Sequence, residues 1–112
     1  MIDVEFKKKL LDEIKRVNKN DKLSYDDIFF RIKDILSKSI FELKQKNIER
    51  TSKLKKDLGA TSFDMGDAIN FIKVKFDIDI EDGIRSVKKV SDLVYLIGEK
   101  LKEQNRFYDN NF

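Results

Sequence analysis

The usual breakers of helices are nearly missing from this chain, which has no proline and only four glycines in 112 residues. With so little punctuation, the spacing of the apolar residues decides the secondary structure. They recur three and four residues apart in every segment, which gathers them on one face of an amphipathic helix. The expected fold class is all-α. Ile2, Phe6, Leu10, Ile14 and Val17 form the stripe of a first helix that stops in the polar stretch 18–22. Ser24 followed three residues later by Asp27 has the form of a capping box. Phe29, Ile32, Leu36, Ile40 and Leu43 then extend a second helix over 25–43.

Between 44 and 61 the pattern thins into a basic, polar connection. Loops of that length are functional or disordered as a rule. Ile48, Leu54 and Leu58 serve as apolar anchors that favour an ordered one, with Gly59 as the stop before the next element. Ser62 reads as the N-cap of a third helix, with Asp64 in its first turn and Met65, Ile69, Ile72 and Phe76 on its buried face. Gly66, Asp67, Asn70 and Lys73 fall on the opposite face. The alternation from Asp77 to Ile80 imitates a strand, but a lone strand has nothing to pair with. It is expected to be an extended loop leading to a one-turn helix near 82–87. Val90, Leu93, Ile97 and Leu101 mark a last helix started by Ser91 and Asp92. The chain divides into an accessory helix and linker at 1–23, a main domain at 24–104, and a flexible tail at 105–112 that Phe107, Tyr108 and Phe112 could pin down.

Composition narrows the chemistry. Without Cys there is no thiolate and no disulfide, and without His the commonest general base and metal ligand is missing. No catalytic residue and no metal site is expected, and a chain handling thioesters would need its sulfur from a cofactor. Asp64 and Asp67 share a solvated helix face and read as partner contacts rather than as an acid/base pair. The 24 basic residues are interspersed with 21 acidic ones, and their longest run is Lys7, Lys8 and Lys9, so the net charge of +3 describes a solvated surface and not a nucleic-acid interface. No apolar run is long enough for a membrane span, and with Asp3 and Glu5 alternating with Lys7, Lys8 and Lys9 no signal or transit peptide is expected. A cytoplasmic monomer is expected.

Asp57-Leu58-Gly59-Ala60-Thr61-Ser62-Phe63-Asp64 sets a loop and a small Gly-Ala turn before a serine that opens a helix. Backbone N–H groups and the positive end of the helix dipole converge there and favour a phosphate esterified to the hydroxyl. Taken alone, Ser62 is simply an N-cap. The wider segment, however, resembles the acyl carrier protein family, whose hallmark is Asp-Leu-Gly-Ala-Asp-Ser-Leu-Asp followed by a helix ending in an acidic Glu-Glu-Phe-Asp-like stretch. Here the matching residues are Asp57, Leu58, Gly59, Ala60, Ser62, Asp64, Phe76 and Asp77. The resemblance covers 25–101, with a short deletion near Gly83.

That resemblance implies a four-helix bundle, three helices long and one short, with the N-terminal helix as an addition. It also implies that a magnesium-dependent phosphopantetheinyl transferase attaches 4'-phosphopantetheine from coenzyme A to Ser62. The arm's thiol would carry acyl groups as thioesters for fatty-acid or related specialised lipid synthesis, with acyl-transferring and synthase enzymes as partners. Ile69, Ile72, Leu93 and Ile97 are candidates to line an acyl crevice, although such residues are more often plain core. Phe63, Asp64, Gly66, Asp67, Asn70 and Lys73 are the candidate partner-recognition residues. The departures are Thr61 for the usual Asp, Phe63 for Leu, Gly66 and Asn70 for larger apolar side chains, and Lys73 and Lys75 for Glu. These changes rewrite the acidic recognition face. The alternative is an unmodified carrier-fold subunit with an interaction or regulatory role.

Overall fold

The computed structural model describes residues 17, 21–40 and 42–108. Three α-helices make up the frame: α1 (Tyr25–Ser39), α2 (Ser62–Phe76) and α3 (Val90–Glu103). Gln45–Asn47 and Ile84–Ser86 are single 3-10 turns, and the second is the short element expected near 82–87. Among the described residues there is no strand, only isolated bridges between Leu23 and Phe107 and between Lys53 and Lys89. The all-α expectation holds. The N-terminal helix expected from Ile2 to Val17 lies outside the described residues except for Val17, which packs on the core and donates its amide to the Lys75 carbonyl at 2.7 Å.

α1 is the shared partner, packed against both α2 and α3. Ile28, Ile32, Ile35 and Leu36 along it are fully buried, as the three- and four-residue spacing requires. Its start is the capping box: the Ser24 hydroxyl accepts from the Asp27 amide at 3.2 Å, and Asp27 accepts from the Ser24 amide at 3.0 Å. It ends at Ser39, four residues short of expectation. Ser37 and Ser39 turn their hydroxyls back onto the carbonyls of Asp34 and Ile35, and Ile40 leaves in an extended conformation, with Glu42 left-handed at φ 62°. Ile40 is nonetheless buried and Leu43 packs against the core, so apolar spacing alone could not reveal that the helix had stopped.

The long connection is ordered by its three anchors, since Ile48, Leu54 and Leu58 are all buried. α3 begins one residue earlier than expected, at Val90, and Asp92 closes its first turn by accepting from the amides of Lys88 and Lys89 at 3.0 Å each. Beyond α3 the chain hooks back. Leu23 and Tyr108 exchange main-chain bonds through the Arg106 and Leu23 carbonyls, and the Phe107 ring meets Tyr25 edge-on at 4.6 Å. Arg106 is buried and donates from Nη1 to the carbonyl of Phe76 at 2.7 Å, supplying a cation at the C-terminal end of α2 where the helix dipole favours one. Phe107 is thus one of the residues that pin the tail, and 109–112 lie outside the described residues.

Candidate functional site

The loop before α2 folds onto itself. The amides of Asp57 and Leu58 both donate to the Lys53 carbonyl, Gly59 donates to Lys55 and Ala60 to Leu54, at 2.9–3.1 Å. Gly59 takes φ +70°, a left-handed value that costs a glycine little and a side-chain-bearing residue more. Ala60 is buried beneath the turn. This rigid step sets the direction in which α2 starts.

The N-cap is Thr61 and not Ser62, a correction to the sequence reading. Thr61 Oγ1 accepts from the Asp64 amide at 3.1 Å, and Asp64 Oδ2 accepts from the Thr61 amide at 3.0 Å. Asp and Thr are both N-cap residues, so Thr61 can do the structural work of the aspartate usual at that place. The consequence falls on Ser62. As the first helical residue it is exposed, and its hydroxyl has no hydrogen-bond partner among the described residues. The amides of Ser62 and Phe63 also lack an acceptor there, and they are the N–H groups that the start of a helix leaves open. A phosphate ester on Ser62 would therefore meet two open N–H groups and the positive end of a helix dipole, without displacing the cap.

The remaining candidates sort by burial. Phe63 is 78% exposed, an unusual place for a large ring, and Gly66 and Asn70 are exposed beside it. Asp64 and Asp67 are half-buried and engaged. Lys73 forms an ion pair with Glu81, whose hydrogen bond raises the lysine pKa above its ordinary value. Gly66 has no packing reason for being glycine, because a Cβ built there meets nothing within 4 Å. The buried face of α2 is centred on Ala68, Phe71, Ile72 and Phe76, whereas Met65 and Ile69 are only half-buried, a turn of the expected face toward Phe71. Ile72, Leu93 and Ile97 sit fully buried in the single core cluster and Ile69 packs at its edge.

Sequence reasoning missed a groove of about 410 Å³ beside the start of α2, floored by Leu54, Met65 and Val87 and walled by lysine and arginine. Its walls come from residues 53–56 and 85–89, which the Leu54 amide joins by donating to the Lys88 carbonyl at 2.9 Å. The doublets Lys55-Lys56 and Lys88-Lys89 are visible in the sequence, but their convergence is not.

Ser62 is thus an exposed serine at the end of a hydrogen-bonded loop, in a chain with no His and no Cys. Among curated proteins, the acyl carrier protein of Thermotoga maritima is similar to this chain, 29% identical over 79 residues that make up 70% of this chain and 96% of that protein. No family model matches. The similarity points to an acyl-carrier-like protein, and the relative's name is that of a carrier and not of an enzyme. Among the described residues no helix is long and apolar enough to cross a membrane.

Proposed function

We propose that this chain is an acyl carrier protein, holding acyl groups as thioesters on a 4'-phosphopantetheine arm attached to Ser62. The observation that carries this reading is the Ser62 hydroxyl, exposed and unbonded among the described residues, one position after a cap that Thr61 and Asp64 complete without it. Residues fit the group: the arm would supply the thiol that a chain without Cys lacks, and the phosphate would lie against the Ser62 and Phe63 amides. The chain's own part is to present the hydroxyl, hold its helix end rigid and offer Phe63, Asp64, Gly66, Asp67, Asn70 and Lys73 to a phosphopantetheinyl transferase and to acyl-transferring or synthase enzymes. Fatty-acid or related specialised lipid synthesis, in a cytoplasmic monomer, is the setting this reading implies. The domain would be a carrier-type four-helix bundle over 24–104 with 1–23 as an accessory helix and linker, and Ile69, Ile72, Leu93 and Ile97 would line any crevice for the acyl chain.

The test is intact mass after incubation with coenzyme A, magnesium and a permissive phosphopantetheinyl transferase. One added phosphopantetheinyl group, lost in Ser62→Ala, is expected. Labelling at Ser24, Ser37, Ser39, Ser52, Ser86 or Ser91 would overturn the site, and an unmodified chain would favour a carrier-fold subunit that works by interaction alone.

A further inference from the structure

Six exposed cations surround one groove beside the start of α2: Lys53, Lys55 and Lys56 on one wall, Arg85, Lys88 and Lys89 on the other. None of the six forms an ion pair among the described residues, whereas Lys38, Arg50, Lys73, Lys100 and Lys102 each hold a carboxylate. The neighbouring acids are committed elsewhere. Asp82 is paired with Lys100, Asp57 accepts from the Lys53 amide at 2.8 Å, and Asp92 accepts from the amides of Lys88 and Lys89 at 3.0 Å each. Nor can the walls move apart to relieve the repulsion, because main-chain bonds join them. Leu54 donates to the Lys88 carbonyl at 2.9 Å, Val90 to that of Ser52 at 2.9 Å, and Ser91 to that of Arg50 at 2.8 Å. The groove is therefore a preformed concentration of positive potential, which an acidic partner would relieve without having to assemble it first.

Its place gives that charge a role. Met65, on the floor with Leu54 and Val87, stands three residues after Ser62, about 4.5 Å along the axis and on the same face of α2. A protein that reaches the Ser62 hydroxyl thus comes within one helical turn of the groove. The recognition face read from the sequence offers little spare charge by comparison, since Lys73 is paired with Glu81, and Asp64 and Asp67 are engaged. The concavity favours a protruding protein segment over a bilayer: Leu54 is buried and Met65 and Val87 are half-buried, so none of the floor projects to insert among lipids. We infer that this groove is a docking surface for an acidic segment of the enzyme that acts at Ser62, its carboxylates set between the cations and an apolar side chain on the floor. The sign is the reverse of the acidic recognition face usual in the carrier family. The inference rests on the carrier reading for the identity of the partner, while the docking itself needs no arm.

The test follows backbone amides of the full, unmodified chain by NMR as acetyl-Glu-Glu-Leu-Glu-Glu-amide is added. The amides of Leu54, Met65, Val87 and Lys88 are expected to move saturably. Affinity should be about tenfold above that of the Glu-Glu-Ser-Glu-Glu counterpart, which lacks the apolar anchor, and Lys-Lys-Leu-Lys-Lys should leave the four amides in place. Binding should fall by about tenfold or more in Lys56→Glu/Lys88→Glu, and also in about 1 M salt, where screening acts within roughly 3 Å. It should hold in Lys44→Glu/Lys46→Glu, an equal change of charge at exposed residues outside the groove. Equal binding of the acidic and basic peptides, or binding that survives reversal within the groove, overturns the inference. Phosphatidylserine vesicles that broaden the four amides while the acidic peptide leaves them unmoved also overturn it, assigning the groove to lipid. These outcomes leave the carrier reading standing. Failure of Ser62 to accept the arm overturns that reading, and the enzyme inferred as partner goes with it even where the peptide docks.

Discussion

α1 and α2 start with the same local chemistry and end up with opposite surroundings. Each opens with a capping box, Ser24 with Asp27 in one and Thr61 with Asp64 in the other. At α1 the next residue, Tyr25, lies under Phe107 and stacks on Tyr95 at 6.2 Å, and Leu23 before the cap is buried and bonded to the returning C-terminal segment. At α2 the next residue is Ser62, exposed, followed by the exposed ring of Phe63. Packing has closed the first helix end and left the second open. Capping alone therefore does not make a site, and what distinguishes α2 is the free hydroxyl that a neighbouring cap leaves over.

The comparison breaks most sharply if the position of the hydroxyl is irrelevant. In Thr61→Ser/Ser62→Ala the serine moves to the cap, where its oxygen is committed to the Asp64 amide, and loading by a phosphopantetheinyl transferase should be lost altogether. Mass spectrometry showing a loaded chain would mean that the first helical position has no special standing.

A second contrast concerns packing. Tyr25→Ala removes a half-buried ring from the closed end and should cost about 2–3 kcal/mol, whereas Phe63→Ala at the open end should stay within about 0.5 kcal/mol in urea unfolding. The glycines sharpen it. A Cβ at Gly98 would lie 2.6 Å from Tyr25 Cε1, so Gly98→Ala is expected to destabilise by about 1–3 kcal/mol. Gly66→Ala meets nothing and should stabilise α2 by about 0.5–1 kcal/mol. Equal effects at the two glycines would deny that one helix end is closed and the other open.

Weaker again are the caps themselves. Ser24→Ala and Thr61→Ala should each cost about 1 kcal/mol, while Thr61→Asp, which preserves the cap, should alter stability by no more than about 0.5 kcal/mol and leave loading intact. Loss of loading in Thr61→Asp would show that the threonine does more than cap.

Much of this was legible in the sequence for identifiable reasons. Ser24 with Asp27 announced the start of α1, and Ile48, Leu54 and Leu58 announced an ordered loop, because caps and isolated apolar anchors act locally. The end of α1 was not legible, since Ile40 and Leu43 keep helical spacing while packing from a bend. Nor was the role of Thr61: Thr61-Ser62 offers two adjacent caps, and the choice turns on which hydroxyl faces the Asp64 amide. Arg106 was missed because a lone arginine in a polar tail gives no sign of folding back under the carbonyl of Phe76. The basic groove needed tertiary structure to bring residues 53–56 beside 85–89.

The smallest expected effect is a matter of protons at the closed end. The Ser24 amide, with help from the Ser24 hydroxyl and Arg31, holds the Asp27 carboxyl below the usual aspartate range, and the amides of Lys89 and Lys88 do the same for Asp92. A pKa that folding lowers means the ionised form is the one the fold binds better. The resulting stability is fully present above the unfolded value near pH 4 and drains away as the pH falls through the lower, folded value. Both sites are partly solvated, so each should contribute only about 0.5 kcal/mol. Asp27→Asn keeps a side-chain oxygen for the Ser24 amide but removes the charge. In urea unfolding the variant should lie about 0.5 kcal/mol below the parent at pH 7, and the gap should narrow as the pH is taken below 4, because protonation removes from the parent what the substitution removed from the variant. A gap of unchanged size at low pH would assign the effect to side-chain shape, and the charge at this cap would then have no part in closing the first helix end.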